Sequence, residues 1–262
     1  MNIIGIIPAR MASSRFPNKP MVKILGLPMI GHVYYRTRMC PFLSDVWVAT
    51  CDEEIFHYIE SISGKAVMTA NTHLRASDRG AEALIKIEKE GHKPDYVAMV
   101  QGDEPMLNPL MLDELVGPVV ANNQADVINL IARIKSSEEF ENENVVKVVL
   151  DQQGFVLYFS REPIPSRKKY TDDVPMWKQL GLILFRHDAL LQYTNMSPTP
   201  LEIIESVDMN RFLEYGIKIK TVSTKFMSFG VDVPSDLLSV EPFIKIDPIT
   251  RKYLPEPIRQ GA

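Results

Sequence analysis

NIIGII at residues 2–7, followed at once by PARMASSRFPNKP at residues 8–20, is the stretch that decides the fold. The first six residues read as a short buried strand. The next thirteen form a polar loop that carries Arg10, Arg15 and Lys19 among the small residues Ala9, Ala12, Ser13 and Ser14. Open α/β sheets bind their ligands at the carboxyl ends of strands, where this loop would stand. Cations set among small residues suit an anion that must approach the backbone closely, a triphosphate above all. A solvated basic loop is the plainer reading of the same residues.

Outward from that stretch the pattern alternates. Short apolar runs at 46–49, 66–68, 96–100 and 126–132 have the β-branched content of strands covered on both faces. Segments 29–39, 53–61, 78–90 and 110–122 have helical spacing between them, with Pro28 suited to a first turn and Asp78 to a helix opening. Strand and helix in alternation predict an α/β chain with a doubly wound, mostly parallel, Rossmann-like sheet.

The second half changes character. Runs at 145–150 and 155–159 flank Asp151-Gln152-Gln153-Gly154, a hairpin signal. A strand is expected at 179–185, a helix at 201–215 and a strand at 217–222. Residues 163–175 hold three prolines and read as a long exposed loop, and the tail from Lys245 onward reads as a surface extension.

A chain of 262 residues can bury a substantial core, and a net charge of −4 without a basic face argues against a general nucleic-acid binder. No apolar run approaches the ~20 residues that span a bilayer, and no signal peptide precedes the first strand, so a cytoplasmic protein without membrane insertion is expected. Cys40 and Cys51 lack metal or disulfide spacing and read as buried reduced thiols.

The loop at 8–20 resembles the P-A-R-x-x-S-x-R-x-P-x-K-P signature of nucleotidyltransferases that load CMP onto acidic sugars. PMIGHV at 28–33, VQGDEPM at 100–106, NVVKVVLD at 144–151, LYFSR at 157–161, TPLEIIE at 199–205 and GVDVPSDL at 230–237 follow in order. Together they are similar to the CMP-Kdo synthetase (3-deoxy-manno-octulosonate cytidylyltransferase) family over nearly the whole chain. The resemblance implies one domain over 1–262. A nucleotide-binding half lies at about 1–135, a smaller β-rich sugar-binding and dimerisation region at about 136–222, and a return to the metal site from 223.

Nucleotidyl transfer needs phosphates held in line, charge neutralised on pyrophosphate and a nucleophile oriented on the α-phosphorus. The resemblance implies that Arg10 and Lys19 face the triphosphate of CTP, with Pro8 and Ala9 close to the nucleotide and Arg15 near them. It places His73, Ala76, Ser77 and Arg79 in the base-reading region and Gln101 between nucleotide and sugar. Asp103 ends an apolar strand and Asp232 sits far away in FGVDVP. Magnesium prefers a few carboxylates completed by phosphate oxygens and water. The resemblance puts Mg2+ between these aspartates and the triphosphate. A turn aspartate for Asp103 and a helix cap for Asp232 are the structural alternatives, and Glu104 is expected to be structural.

Arg161, Glu202 and Glu205 keep the family pattern for the acceptor, and their spacing puts Glu202, Glu205 and Asp208 on one helical face with Arg211. Arg161 suits a sugar carboxylate or an ion pair with one of those glutamates; Glu202 suits a pocket or a cap. Departures occur elsewhere. Where the family has a Ser-Gly pair the chain has Arg75-Ala76, an extra cation beside the nucleotide. Gln179 stands where the family has histidine, and Met209 where it has glutamine. The expected reaction is CMP transfer from CTP to the anomeric hydroxyl of an acidic 2-keto-3-deoxy sugar by a homodimer, supplying surface polysaccharide. The two pocket changes raise a modified ulosonate, such as an 8-amino form. Another acceptor on the same fold (a sugar or polyol phosphate, or a phosphonate) and a nucleotide-binding regulator are the competing readings.

Overall fold

The computed structural model describes residues 1–12, 16–122, 124–169, 174–227 and 229–254. The first half builds β1 (Ile3–Ala9), the small hairpin β2 (Lys23–Ile24) and β3 (Leu27–Pro28), α1 (Met29–Thr37), β4 (Asp45–Thr50), α2 (Glu53–Ser61), β5 (Lys65–Met68), α3 (Ala76–Lys89), β6 (Tyr96–Val100), α4 (Pro109–Val120) and β7 (Val127–Arg133). The second half adds α5 (Ser137–Glu141), β8 (Lys147–Leu150), β9 (Val156–Ser160), β10 (Trp177–Arg186), α6 (His187–Tyr193), α7 (Pro200–Glu205), α8 (Met209–Glu214), β11 (Ile219–Thr224) and α9 (Pro234–Ile246).

Seven strands lie in the order β5-β4-β1-β6-β10-β7-β11, with the β8–β9 hairpin joined through β10. The strand expected at 2–7 sits inside the sheet, parallel to β4 on one side and β6 on the other. Its residues alternate between two cores. Ile3 and Ile7 pack with residues of α1, α2 and α4, whereas Ile4 and Ile6 pack with residues of α3, α6 and α8. Each such isoleucine contributes about 1.5–3 kcal/mol relative to an exposed one. A strand buried on both faces cannot alternate with polar residues, which is why NIIGII is a continuous apolar run.

Of the seven strands in that order, β10 alone runs against its neighbours, antiparallel to both β6 and β7. The change of pattern near residue 135 is therefore the change from βα units to antiparallel pairing, within one sheet. The hairpin turn forms as expected, with Gly154 at φ +78°, a conformation that favours glycine.

Three expectations are corrected. The helix expected over 201–215 is two helices, α7 and α8, separated at Ser206, whose φ is +53°. Glu202 turns back to accept from Thr199 N, and Asp208 leaves the helical face to accept from Ser77, so the supposed common face does not exist. Helix α3 opens at Ala76, two residues earlier than expected, leaving Asp78 in its first turn, where a carboxylate suits the helix dipole. The tail is not a surface extension as far as Leu254. Tyr253 stacks on Tyr35 at 5.3 Å, and fully buried Arg36 donates to Tyr253 Oη (3.0 Å), Leu107 O (3.1 Å), Thr250 Oγ1 (2.7 Å) and Asp247. Residues 170–173 of the expected loop at 163–175 lie outside the described residues; its other residues carry no strand or helix. Both cysteines are free, Cys40 buried and Cys51 only partly so.

His32, fully buried on α1, completes the tail's anchorage. Its Nε2 lies 2.9 Å from Ile24 O, an acceptor only, so Nε2 carries the proton. Nδ1 then accepts from Tyr253 Oη at 2.8 Å, while Tyr253 accepts from Arg36. Burial lowers the His32 pKa from 6.5 to about 4. Between those values the unfolded chain takes up a proton that the folded chain refuses. Its contribution is thus complete above pH 6.5 and lost as the pH falls to about 4, on the order of 3 kcal/mol. In His32→Gln, urea unfolding across this window should show an acid slope shallower by that amount. Equal slopes in the two proteins would mean that the imidazole is not held neutral.

Candidate active site

The carboxyl edge of the sheet carries two adjoining cavities. One, of about 430 Å³, is lined by Pro8, Ala9, Arg10 and Lys19 from the first loop and by residues around the start of α3. The other, of about 510 Å³, lies over β10 and the α7–α8 turn. Gln101, Asp103 and Ser206 border both.

Lys19 stands at the junction. It opens a short 3₁₀ turn (Lys19–Met21), reached through Asn18 at φ +60°. Phe16 anchors the loop in a third apolar cluster with Val231, Val240 and Ile244, and Met11 N donates to Asp52 at 2.8 Å. The Lys19 ammonium donates to Asp103 Oδ2 at 3.1 Å and Val231 O at 2.8 Å, and lies 3.8 Å from Asp232 Oδ1. Aspartates 129 positions apart are thereby gathered on one cation, with side chains 30% and 35% exposed. Asp232 is not the cap of α9: that place belongs to Asp236, which accepts from Asp232 N (2.7 Å) and Val233 N (3.0 Å). Glu104 is buried, with Oε1 accepting from Gly181 N at 3.4 Å.

The start of α3 forms the opposite wall of the first cavity. Arg10 Nη1 donates to His73 O at 3.2 Å, tying the first loop to this wall. His73 is bound through Nε2 to Glu82. Burial pushes the Glu82 carboxyl up, but bonds from Lys86, Ala70 N and His73 outweigh it and hold it at about 2. Ala76 borders the cavity; Ser77 is fully buried and donates to Asp208 Oδ2 at 2.9 Å. Arg79, 2% exposed, donates through Nη1 to Thr69 and to Ala70 O (3.3 Å), while its Nη2 meets no partner among the described residues. Arg75 is engaged: it donates to Ser206 Oγ at 2.7 Å and Glu202 O at 3.3 Å, strapping the first cavity's wall to the α7–α8 turn. Arg15 lies outside the described residues.

In the second cavity, Gln101 lies against β10, where a side chain at Gly181 would come within 2.8 Å of it. Gln179 and Met209 both border the cavity. Arg161 lies on its rim with its guanidinium on the carbonyls of Glu205 (2.7 Å), Glu143 (3.0 Å) and Ser206 (3.4 Å). The alternative of an ion pair with a glutamate is not formed by the guanidinium, which has backbone acceptors instead. Glu205 accepts from Tyr158, Ser160 and Arg161 N. Glu202, 1% exposed, accepts from Arg211 Nε and Nη2, both at 2.6 Å. Burial pushes the Glu202 carboxyl up, but the Arg211 and Thr199 bonds dominate and hold it below the usual range. Both glutamates face inward as supports of the α7–α8 turn.

The family model for cytidylyltransferases matches residues 4–219. The chain is 43% identical over 247 residues to the 3-deoxy-manno-octulosonate cytidylyltransferase of Geobacter metallireducens, covering 90% of this chain and 95% of the relative. The chain belongs to this cytidylyltransferase family. A second member, from Geotalea uraniireducens, is 42% identical over 250 residues, covering 92% and 98%. The solved structure of a CMP:2-keto-3-deoxy-manno-octonic acid synthetase complexed with CTP superposes with a TM-score of 0.85 at 33% identity, covering 94% of this chain and 99% of that one.

Several supports of this cytidylyltransferase site escaped the sequence reading. Lys147 is fully buried in β8 and donates to Asn142 O (2.9 Å), Val145 O (2.7 Å) and Arg161 O, folding the rim of the second cavity. Burial lowers its pKa. Asn129 does similar work from β7. Each is a lone polar residue in an apolar strand, VVKVVL and VINLIA, and that pattern is the signal that marks them. Glu202→Ala should cost about 3–5 kcal/mol in urea unfolding, because it strands the Arg211 charge. An altered acceptor KM at unchanged stability would instead make Glu202 a ligand.

Proposed function

We propose that this chain transfers CMP from CTP to the anomeric hydroxyl of 3-deoxy-manno-octulosonate, releasing pyrophosphate, a step that serves lipopolysaccharide biosynthesis. The observation that carries the proposal is the convergence of the first loop, Asp103 and Asp232 on the Lys19 ammonium, between two cavities. Relatives of this name at over 40% identity support the choice of substrates.

In this reading the first cavity takes CTP. Arg10 and Lys19 neutralise triphosphate charge, with Arg15 assigned beside them. The backbone at Pro8 and Ala9 lies along the nucleotide, and His73, Ala76 and Arg79 face the cytidine with Ser77 behind them. The second cavity takes the sugar, oriented by Gln101, Gln179 and Met209 on a wall that Arg161, Glu202 and Glu205 shape. The sugar oxygen forms a bond to the α-phosphorus as the bond to pyrophosphate breaks and the hydroxyl proton passes to solvent, and no covalent enzyme intermediate is required.

Two partly exposed carboxylates gathered on one cation fit a hard divalent ion that fills its remaining positions with phosphate oxygens and water. Asp103 and Asp232 would hold Mg2+, which would supply Lewis-acid stabilisation of the charge on the leaving pyrophosphate. A modified ulosonate is the second reading of the acceptor, favoured by Gln179 and Met209 at the cavity wall. Among the described residues no helix is long and apolar enough to cross a membrane. With two free thiols, the chain suits the reducing cytoplasm.

Pyrophosphate release with CTP, 3-deoxy-manno-octulosonate and Mg2+ tests the proposal. Asp232→Asn should lower kcat/KM by about 100-fold or more and weaken the dependence on magnesium. Unchanged turnover would remove Asp232 from the mechanism. We further propose a homodimer through the face where Leu201, Ile203 and Ile204 of α7 are exposed. Light scattering should give twice the chain mass, and Ile203→Glu/Ile204→Glu should give one chain mass; a monomeric parent protein would refute this.

A further inference from the structure

Gln179 lies at the edge of an irregularity in the sheet. Along the β7–β10 pairing, Gln179 faces Ile131 and Ile183 faces Asn129, so β10 uses two more residues than β7 over the same step. Such a bulge re-aims side chains but leaves carbonyls to be satisfied. Gly181 O accepts from Gln101 N at 2.8 Å. The other two are satisfied by one side chain: Asn129 Nδ2 lies 3.0 Å from Leu180 O, 3.1 Å from Leu182 O and 3.1 Å from its neighbour Leu130 O.

This arrangement removes the usual ambiguity of an amide. Turning the Asn129 amide over would set its oxygen against three carbonyl oxygens inside a fully buried site. Asn129 Oδ1 must therefore accept, and the group it meets at 2.8 Å must be Gln179 Nε2. The Gln179 orientation is fixed in turn. Its Oε1 meets no donor among the described residues and is not a sealed buried atom, so it opens into the second cavity that Gln179 borders.

The surroundings have the same sense. Asp208 presents a carboxylate to this cavity, held through Oδ2 by Ser77. Met209 adds an apolar surface. The nearby cations are turned into the protein: Lys178 is paired with Glu139 at 2.6 Å, and Arg161 is on backbone carbonyls.

We propose that Gln179, locked by Asn129 in the β10 bulge, is a specificity-determining residue: its Oε1 demands an O–H or N–H donor from the acceptor sugar. The assignment rests on the reading of the second cavity as the sugar site. An acceptor with an ether, a methylene or an anionic oxygen at that point leaves Oε1 unpaired and is rejected, whereas a hydroxyl or amine is accepted.

The test compares kcat/KM for 3-deoxy-manno-octulosonate and its single-position deoxy and amino analogues, in the parent protein and in Gln179→Met. At one hydroxyl position, the deoxy change should cost the parent protein about tenfold or more, while the amino analogue is kept. Gln179→Met should lose a similar factor with the full sugar and nothing more with that deoxy analogue, at unchanged KM for CTP. Gln179→Leu repeats the measurement if the methionine variant unfolds. Losses that simply multiply at every position, or no position at which the parent protein discriminates, would overturn the assignment alone. Absence of turnover with every ulosonate would overturn the reading of the cavity and the assignment with it.

Discussion

One ammonium group sets the geometry on which the candidate site depends. Lys19 Nζ touches Asp103, Val231 O and, at longer range, Asp232, and so joins the first loop to two segments far apart in the chain. Without it, two carboxylates would face each other across a partly exposed cleft, and repulsion would part the loops. The same attraction assembles the place where, in the proposed reaction, phosphate charge and a divalent ion would enter. Holding the aspartates on a cation before ligands arrive lowers the reorganisation that binding would otherwise require.

Behind that junction the loops are braced from two sides. The third apolar cluster packs Phe16 of the first loop against Val231 and α9, which ties the loop to the Asp232 segment. On the other side Arg36 joins Leu107 O, just after the Asp103 loop, to Asp247 at the end of α9. A buried guanidinium with all three nitrogens engaged is a rigid tie, since each lost bond leaves a polar group without water. The α7–α8 turn is held in the same manner by the Glu202–Arg211 pair and by Arg75.

Much of this was legible in the residues. The central strand, the alternation of the first half, the hairpin at Gly154 and the loop cations all follow from local chemistry: apolar runs, helical spacing, a glycine with positive φ and clustered charge. Apolar spacing continues through Ser206, so 201–215 reads as one helix, while the group that holds Asp208 off the helical face, Ser77, lies elsewhere in the chain. The tail was misread for a related reason. Its polar, proline-containing composition looks like a surface segment, yet Tyr253, Thr250 and Asp247 meet buried polar partners on α1.

The sequence by itself determined the fold class and the residues that carry charge to the carboxyl edge of the sheet, because strand burial and loop chemistry are written within short windows. Only the tertiary structure decided which of those residues remain open to a ligand. Arg75, Arg161, Glu202 and Glu205 look alike in sequence to groups awaiting a substrate, but each is already satisfied by partners within the folded protein. Gln179 shows the converse. Its chemistry as an amide is symmetrical on paper, and the buried Asn129 in a neighbouring strand decides which end it offers. Hydrogen-bond direction is a property of a network, and a network exists only once the chain has folded.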